Sequence, residues 1–206
     1  VKNLERVAAK IESELDEKDQ VREIALKSSR LIVRLSGRLI RSLHSKSVSA
    51  ENVGELREEV SKLAGLLKGH EDLLSAGYVQ SALQEYSEAV MLMSMLESGD
   101  VPSPEDVGVG NQPYLLGLGD CIGELRRLCL EDLRARNVQR ASELLDLMED
   151  VFSALMRFDY PDAILPLRHK QDVARSVLEK TRGDVAVAMT ASQLEKKLDE
   201  VLKKLP

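Results

Sequence analysis

The first proline of this chain is Pro102. Everything before it lacks the residue that most firmly breaks a helix. Through the same stretch apolar residues recur at three- and four-residue spacings, and the two-residue alternation that marks a strand is scarce. Helices are what such a chain can build. They are expected over residues 2–45, as one long helix or two joined near Asp16–Asp19, and then over 50–68 and 71–97. Ser49 is placed to cap the second of these and Gly69 to stop it. Gly99–Pro113, rich in Pro, Gly, Asp and Ser, reads as a loop, as does Arg157–Pro166 with its two prolines. Further helices are expected over 113–135, 137–156, 167–181 and 184–204, with Gly183 between the last two. The expected fold is an all-α bundle of six or seven helices, one domain over residues 1–206.

Composition narrows the function classes. With 43% apolar and 31% charged residues, the chain has material for a core and a solvated surface. No apolar run reaches the ~18 residues of a membrane span. Val1-Lys2-Asn3-Leu4-Glu5 does not read as a signal peptide, so a cytoplasmic protein with no membrane partner is expected. Cys121 and Cys129 fall on one expected helix, ~12 Å apart along its axis, too far for a mutual disulfide. Neither has a Cys or His neighbour at zinc-ligand spacing, so both read as core thiols of a reducing compartment.

The net charge of −6 argues against a general nucleic-acid coat. A local basic surface exists all the same. Ile24 to Ala50 contains no acid, and Arg30, Arg34, Arg38 and Arg41 recur there at four, four and three residues. They form one stripe on a helix, while Leu31, Ile32, Leu35, Leu39, Ile40 and Leu43 supply a face for burial. A solvated helix face normally mixes acids with bases. An acid-free stripe suits an anion, and a phosphate backbone is one. With 3% aromatic residues, a stacking platform for bases is disfavoured, so contacts to phosphate and sugar are expected.

Two acid pairs lie in apolar surroundings. Glu85 and Glu88 sit three apart beside Ala82, Leu83 and Ala89-Val90-Met91-Leu92-Met93. Asp120 and Glu124 sit four apart among Leu116, Leu118, Ile122 and Leu125. A helix turns about 100° per residue, so each pair shares a face. A Glu-x-x-Glu on a helix is ordinarily solvated, but a carboxylate in an apolar helix needs a metal or cation to compensate its burial. Four carboxylates from two facing helices would suit a divalent metal and phosphodiester cleavage. Gly117, Gly119 and Gly123 each cost ~1 kcal/mol of helix propensity, for which close helix approach is the simplest explanation. Their spacing is not that of a nucleotide-binding loop. His44, His70 and His169 fall on separate elements, and no Ser-His-Asp spacing stands out.

These segments carry a resemblance. Gln84-Glu85-Tyr86-Ser87-Glu88-Ala89 resembles the Gln-Glu-Tyr-x-Glu-Ala segment of translin-associated factor X. The stretch from Tyr114-Leu115-Leu116-Gly117 through Asp120 to Gly123-Glu124-Leu125-Arg126-Arg127 is similar to that family's Tyr-Leu-Leu-Gly-x-x-Asp-x-x-Gly-Glu-Leu-x-Arg segment. Ser29–His44 is similar to the early helix of translin and its partner, and Leu167–Gly183 to their C-terminal segment ending in Arg-Gly. The resemblance implies a translin-like seven-helix fold assembled into hollow octamers. It also implies Mg²⁺-dependent endoribonuclease activity on single-stranded RNA, with Mn²⁺ as the alternative ion. Glu85, Glu88 and Asp120 match the family's catalytic acids, with Glu124 as a fourth carboxylate and metal ligand. The loop at 99–113 is shorter than the insertion of the eukaryotic catalytic subunit, and no basic localisation tract is present at the N-terminus. Both point to a compact, homo-oligomeric version.

The leading expectation is a Mg²⁺-dependent endoribonuclease in an oligomeric shell, with Arg30, Arg34, Arg38 and Arg41 holding the RNA backbone. The alternative is a non-catalytic, translin-type oligomer that binds RNA or single-stranded DNA. A structural helical adaptor is a third reading, under which the acids should be exposed.

Overall fold

A computed structural model describes residues 3–203. Among them are eight helices and no strand: α1 (Leu4–His44), α2 (Ala50–Leu66), α3 (Glu71–Leu74), α4 (Gly77–Ser98), α5 (Pro104–Val107), α6 (Asn111–Arg134), α7 (Val138–Leu155) and α8 (Arg168–Leu202). Six are long; α3 and α5 are single turns of 4 residues each. The all-α expectation holds. The expected helix ends at Lys2 and Lys204 lie outside the described residues. No helix among the described residues is long and apolar enough to cross a membrane.

The chain divides into two compact units, Val1–Ala89 and Val90–Pro206, with the division inside α4. In the first unit α1 and α2 lie together. Ala25, Ile32, Leu35, Leu39 and Leu43 of α1 and Leu56, Val60 and Leu63 of α2 are buried. Polar contacts also join the pair: Ser28 Oγ donates to Glu59 at 2.7 Å, and Arg38 Nη2 donates to Glu55 at 3.2 Å. The first twenty residues of α1 extend past this core, with Leu4, Val7, Ile11 and Leu15 exposed.

The second unit centres on α6, α7 and α8. Leu115, Leu118, Ile122, Leu125 and Cys129 are buried along α6 at spacings of three and four. Ala141, Leu144, Met148, Val151 and Leu155 repeat the pattern on α7, as do Gln171, Ala174, Leu178, Thr181 and Val185 on α8. A stripe of alternating three and four is the seam by which helices pack side chain into gap. Gln171, like Thr181, is a polar member of these stripes. Its Nε2 donates to the carbonyls of Leu155 and Phe158, both at 2.9 Å, just where α7 ends and helix carbonyls lose their regular partners; the Leu155 carbonyl also accepts from the Phe158 backbone N–H at 3.1 Å. Both cysteines are buried, as expected for core thiols, and Cys129 Sγ donates weakly to the Ala141 carbonyl at 3.4 Å.

Of the two readings offered for the first segment, the single helix is found, since α1 runs unbroken through Asp16–Asp19. Three other boundaries differ from expectation. The helix expected over 71–97 is broken at Ser75–Ala76. There the Ser75 hydroxyl bonds back to the Glu71 carbonyl at 2.8 Å, and Gln80 Nε2 takes the Leu74 carbonyl at 2.9 Å. The loop expected over 99–113 contains α5, one turn set by a capping box between Ser103 and Asp106, with Pro104 at its start. α8 runs straight through Gly183. One glycine costs about 1 kcal/mol, too little to break a helix whose buried stripe continues from Leu178 to Val185. Gly69, with φ of +88°, follows α2 as expected of a stop.

Two tests follow from this core. A Cβ at Gly183 would meet nothing within 4 Å. Gly183→Ala is therefore expected to stabilise the protein by about 0.5–1 kcal/mol, raising Tm by roughly 1–4 °C in a thermal melt. Burial pushes the Cys129 thiol up to about 11 from its ordinary 9.0. The folded state thus holds this proton more tightly, and the unfolded state releases it first. The resulting stabilisation is full below the unfolded value and is lost as pH rises toward the folded one. Urea midpoints of wild type and Cys129→Ala, compared at pH 8 and pH 10.5, should converge at the higher pH.

Candidate functional site

The arginine stripe forms as the spacing predicted. Arg30, Arg34, Arg38 and Arg41 are all exposed, while Ser29, Ile32, Leu35, Ser36, Leu39, Ile40 and Leu43 turn inward. The stripe is not uniformly acid-free in space, because Glu55 of α2 pairs with Arg38. Glu55 lies seventeen residues on, which no helical periodicity of α1 could reveal. Arg41 folds back over Gly37, where a Cβ would stand 3.4 Å from its Nη1.

Glu85 and Glu88 occupy adjacent turns of α4. Ala82, Leu83, Tyr86, Ser87 and Ala89 around them are buried, and Glu88 itself is 7% exposed. Glu85 is half-buried. The adaptor reading required exposed acids, and Glu88 contradicts it. The Ser87 hydroxyl is absorbed by the helix, donating to the Leu83 carbonyl at 2.7 Å. Both glutamates are engaged in polar or electrostatic contacts in the fold. Burial also pushes the Tyr86 phenol above its ordinary value, with Arg57 pulling weakly the other way.

Asp120 and Glu124 lie on α6, both half-buried. Asp120 has a partner that sequence reading missed: Lys170 Nζ of α8 donates to Asp120 Oδ1, with the two side chains 25% and 28% exposed. Gly119 makes the contact feasible. A Cβ there would stand 3.2 Å from Lys170 Cδ and 3.3 Å from its Cβ, so the lysine stem lies where a side chain would be. The close helix approach expected of these glycines is thus found at Gly119. Gly117 is buried, but Gly123 is exposed, and a Cβ there would meet nothing within 4 Å. One turn further on, Arg126 binds α8 through Thr181 at 2.6 Å, the Val177 carbonyl at 3.4 Å and Asp184 at 3.2 Å. Glu124 faces Arg127 at 4.0 Å.

A signal for Lys170 was present in the chain. Arg168, His169 and Lys170 open α8, and its first turn holds no acid. Cations at a helix N-terminus oppose the macrodipole. A run of bases in that position signals that an acid from elsewhere waits for one of them.

The donor chemistry suits magnesium, since all four side chains offer carboxylate oxygen and none offers sulfur or imidazole. The acids divide two and two between the units. Among the described residues no group of three or more His, Cys, Asp or Glu side chains is placed to hold a metal ion. Magnesium is commonly held by one or two carboxylates, with water and substrate phosphate completing its shell. Either pair meets that smaller requirement.

Known proteins resemble this chain over most of its length. The model of the translin family matches residues 16–182. An uncharacterized protein of Methanocaldococcus jannaschii is 36% identical over 191 residues, spanning 91% of this chain and 85% of that one. The crystal structure of AfC3PO superposes with a TM-score of 0.74 at 30% identity, covering 89% of this chain and 97% of that one. The AfC3PO complex with duplex RNA gives the same TM-score at 29% identity, with the same coverage. Apo-NeC3PO, at 24% identity and a TM-score of 0.78, covers 91% of this chain and 98% of its own, and speaks for the fold alone. With its six long helices and its acid-bearing α4 and α6, this chain belongs to the translin family.

Proposed function

We propose that this chain is a magnesium-dependent endoribonuclease that acts on single-stranded RNA as part of a homo-oligomer, an octamer in the family's manner. The observation that carries the reading is the burial of Glu88 within α4. A carboxylate in an apolar helix is costly, and such groups concentrate where chemistry requires them. Family membership supports nucleic acid as the partner, and the AfC3PO complex with duplex RNA is a relative's example of it.

Glu85 and Glu88 on α4, and Asp120 and Glu124 on α6, are the residues that would hold Mg²⁺, with Mn²⁺ as a substitute. The ion, when bound, lowers the pKa of water and steadies charge on the phosphoryl oxygens. The protein's own residues do the rest. Lys170 keeps Asp120 oriented toward the surface of α6 and compensates its charge. Glu88 or Glu124 serves as general base toward the attacking water. Arg30 and Arg34 draw in the backbone phosphates. Arg38 is already engaged by Glu55 and contributes less.

The binding-only reading has one observation in its favour, the Lys170–Asp120 ion pair, which occupies an acid the chemistry would use. One experiment separates the two. Labelled single-stranded RNA is incubated with the purified protein and Mg²⁺ or EDTA. Cleavage confined to the Mg²⁺ arm is expected. Glu88→Ala and Asp120→Ala should each lower the rate more than about a hundredfold, since a lost Lewis-acid ligand costs several kcal/mol and each ~1.4 kcal/mol is tenfold. Binding measured in EDTA should stay near wild type. If both variants cut RNA at the wild-type rate, the enzyme reading fails and the binding-only reading replaces it.

The arginines should fail differently. Arg34→Ala is expected to weaken binding to all sequences and reduce the slope of log affinity against log salt by about 0.7, the value for one single-strand phosphate contact. Arg38→Ala should do so by less. Equal losses would show that Glu55 does not hold Arg38 in solution.

A further inference from the structure

Along α6, one face beyond the carboxylates opens into a depression of about 360 Å³. Gly123, Arg126, Arg127, Leu130, Glu131 and Arg134 line it. Three guanidinium groups and one carboxylate line it, and Asp184 and Glu124 stand against Arg126 and Arg127 from beyond that lining, which leaves Arg134 the most available cation. This second basic surface escaped the sequence reading. Arg126, Arg127 and Arg134 share α6 with the acids and interrupt no acid-free run.

We infer that this depression holds successive backbone phosphates of a nucleic-acid strand that runs along α6 past Asp120 and Glu124. The inference rests on the nucleic-acid part of the proposed function and not on cleavage. Four observations support it. Gly123 is a helix-interior glycine that no packing explains, since a Cβ there meets nothing within 4 Å. Its place between Asp120 and Glu124 on one side and the arginines on the other keeps the floor of the depression clear. Arg126 is fixed to α8 by Thr181 and Asp184, and so forms a wall that needs no ordering on binding. Arg127 is 56% exposed, with ion-pair distances of 3.4 Å to Glu131 and 4.0 Å to Glu124. Exposed pairs of that kind are weak, so its guanidinium turns to a phosphate at little cost. Arg134 is exposed at the last residue of α6.

The spacing selects the ligand. Arg127 and Arg134 are seven residues apart, which places their backbones ~10 Å apart along the axis. A single inorganic phosphate does not span that distance, whereas consecutive phosphates of one strand do. Membership of a family with a relative bound to duplex RNA favours a nucleic-acid strand over an acidic polypeptide.

The test is anisotropy of a labelled 20-nucleotide RNA bound to the full chain in EDTA, measured across salt, together with thermal melts. Arg134→Ala is expected to weaken binding and to lower the salt slope by about 0.7. Gly123→Leu should weaken binding at least tenfold while Tm holds or rises, because the glycine has no packing role and leucine is the better helix former. Millimolar inorganic phosphate and polyglutamate should compete poorly against RNA for wild type, and the two variants should not alter that competition. If wild type binds RNA and Arg134→Ala keeps the full salt slope, the inference is overturned. It is equally overturned if Gly123→Leu binds as wild type, or if polyglutamate displaces RNA from the wild type as well as unlabelled RNA does. Should Gly123→Leu fail to fold, the Arg134→Ala slope alone decides. If wild type binds no RNA at all, the nucleic-acid reading itself is what has failed.

Discussion

α6 must do several things around one circumference, and the second unit follows from how it divides them. Its three-four stripe from Leu115 to Cys129 commits one side to burial with α7 and α8. What remains must carry Asp120 and Glu124 and the three arginines. The solution is to let α8 approach most closely where α6 has no side chain, at Gly119, and to seat Lys170 in that gap against Asp120. A larger residue at 119 would push the lysine stem off and leave a half-buried acid without that compensation. Truncating one partner of a buried charged pair costs more than the pair itself contributes, because the other charge stays behind. The glycine, the lysine and the aspartate therefore stand or fall together, although 51 residues separate the first from the second in the chain.

The two acid pairs solve the same problem differently. Glu88 is deep in α4, in a run where nearly every neighbour is apolar and buried. Asp120 and Glu124 stay nearer the surface, beside guanidinium and ammonium groups supplied by α6 and α8. In such an arrangement the deeper acid is held in place by its surroundings, and the shallower pair is the one that can meet solvent and a bound strand.

Much of this was legible in the sequence because it is local. The three-four periodicity gives the long helices and their buried sides, from Leu35 and Leu39 of α1 to Met148 and Val151 of α7. The acid pairs were visible as carboxylates set among apolar neighbours along the chain. What could not be read was whatever depends on two distant segments meeting. Lys170 on Asp120, Glu55 on Arg38 and Arg126 on Thr181 are of that kind. Gly183 and Ser75 failed for the opposite reason, a local signal overruled or strengthened by its setting. The glycine is carried through by the buried stripe on either side, and the serine breaks a helix with help from Gln80. α5 was readable in principle, since Ser103 and Asp106 have capping-box spacing, but composition alone hides one helical turn inside a loop.

Gln171 bears on how this protein can change over generations. It joins the end of α7 to the start of α8 by donating one amide group to two carbonyls, so the registry of that elbow resides in a side chain and not in the intervening loop. Glutamate would offer no donor when ionised, and lysine is a longer, mobile point charge. The position should resist substitution. The connection between Met156 and Leu167 is relieved of the same duty, and lengthening a loop adds little closure entropy. Descendants of this sequence are then free to lose, gain or rewrite the exposed residues from Asp159 to Ala163, while one buried amide, with Leu165 and Leu167 in the core, keeps the two helices in step.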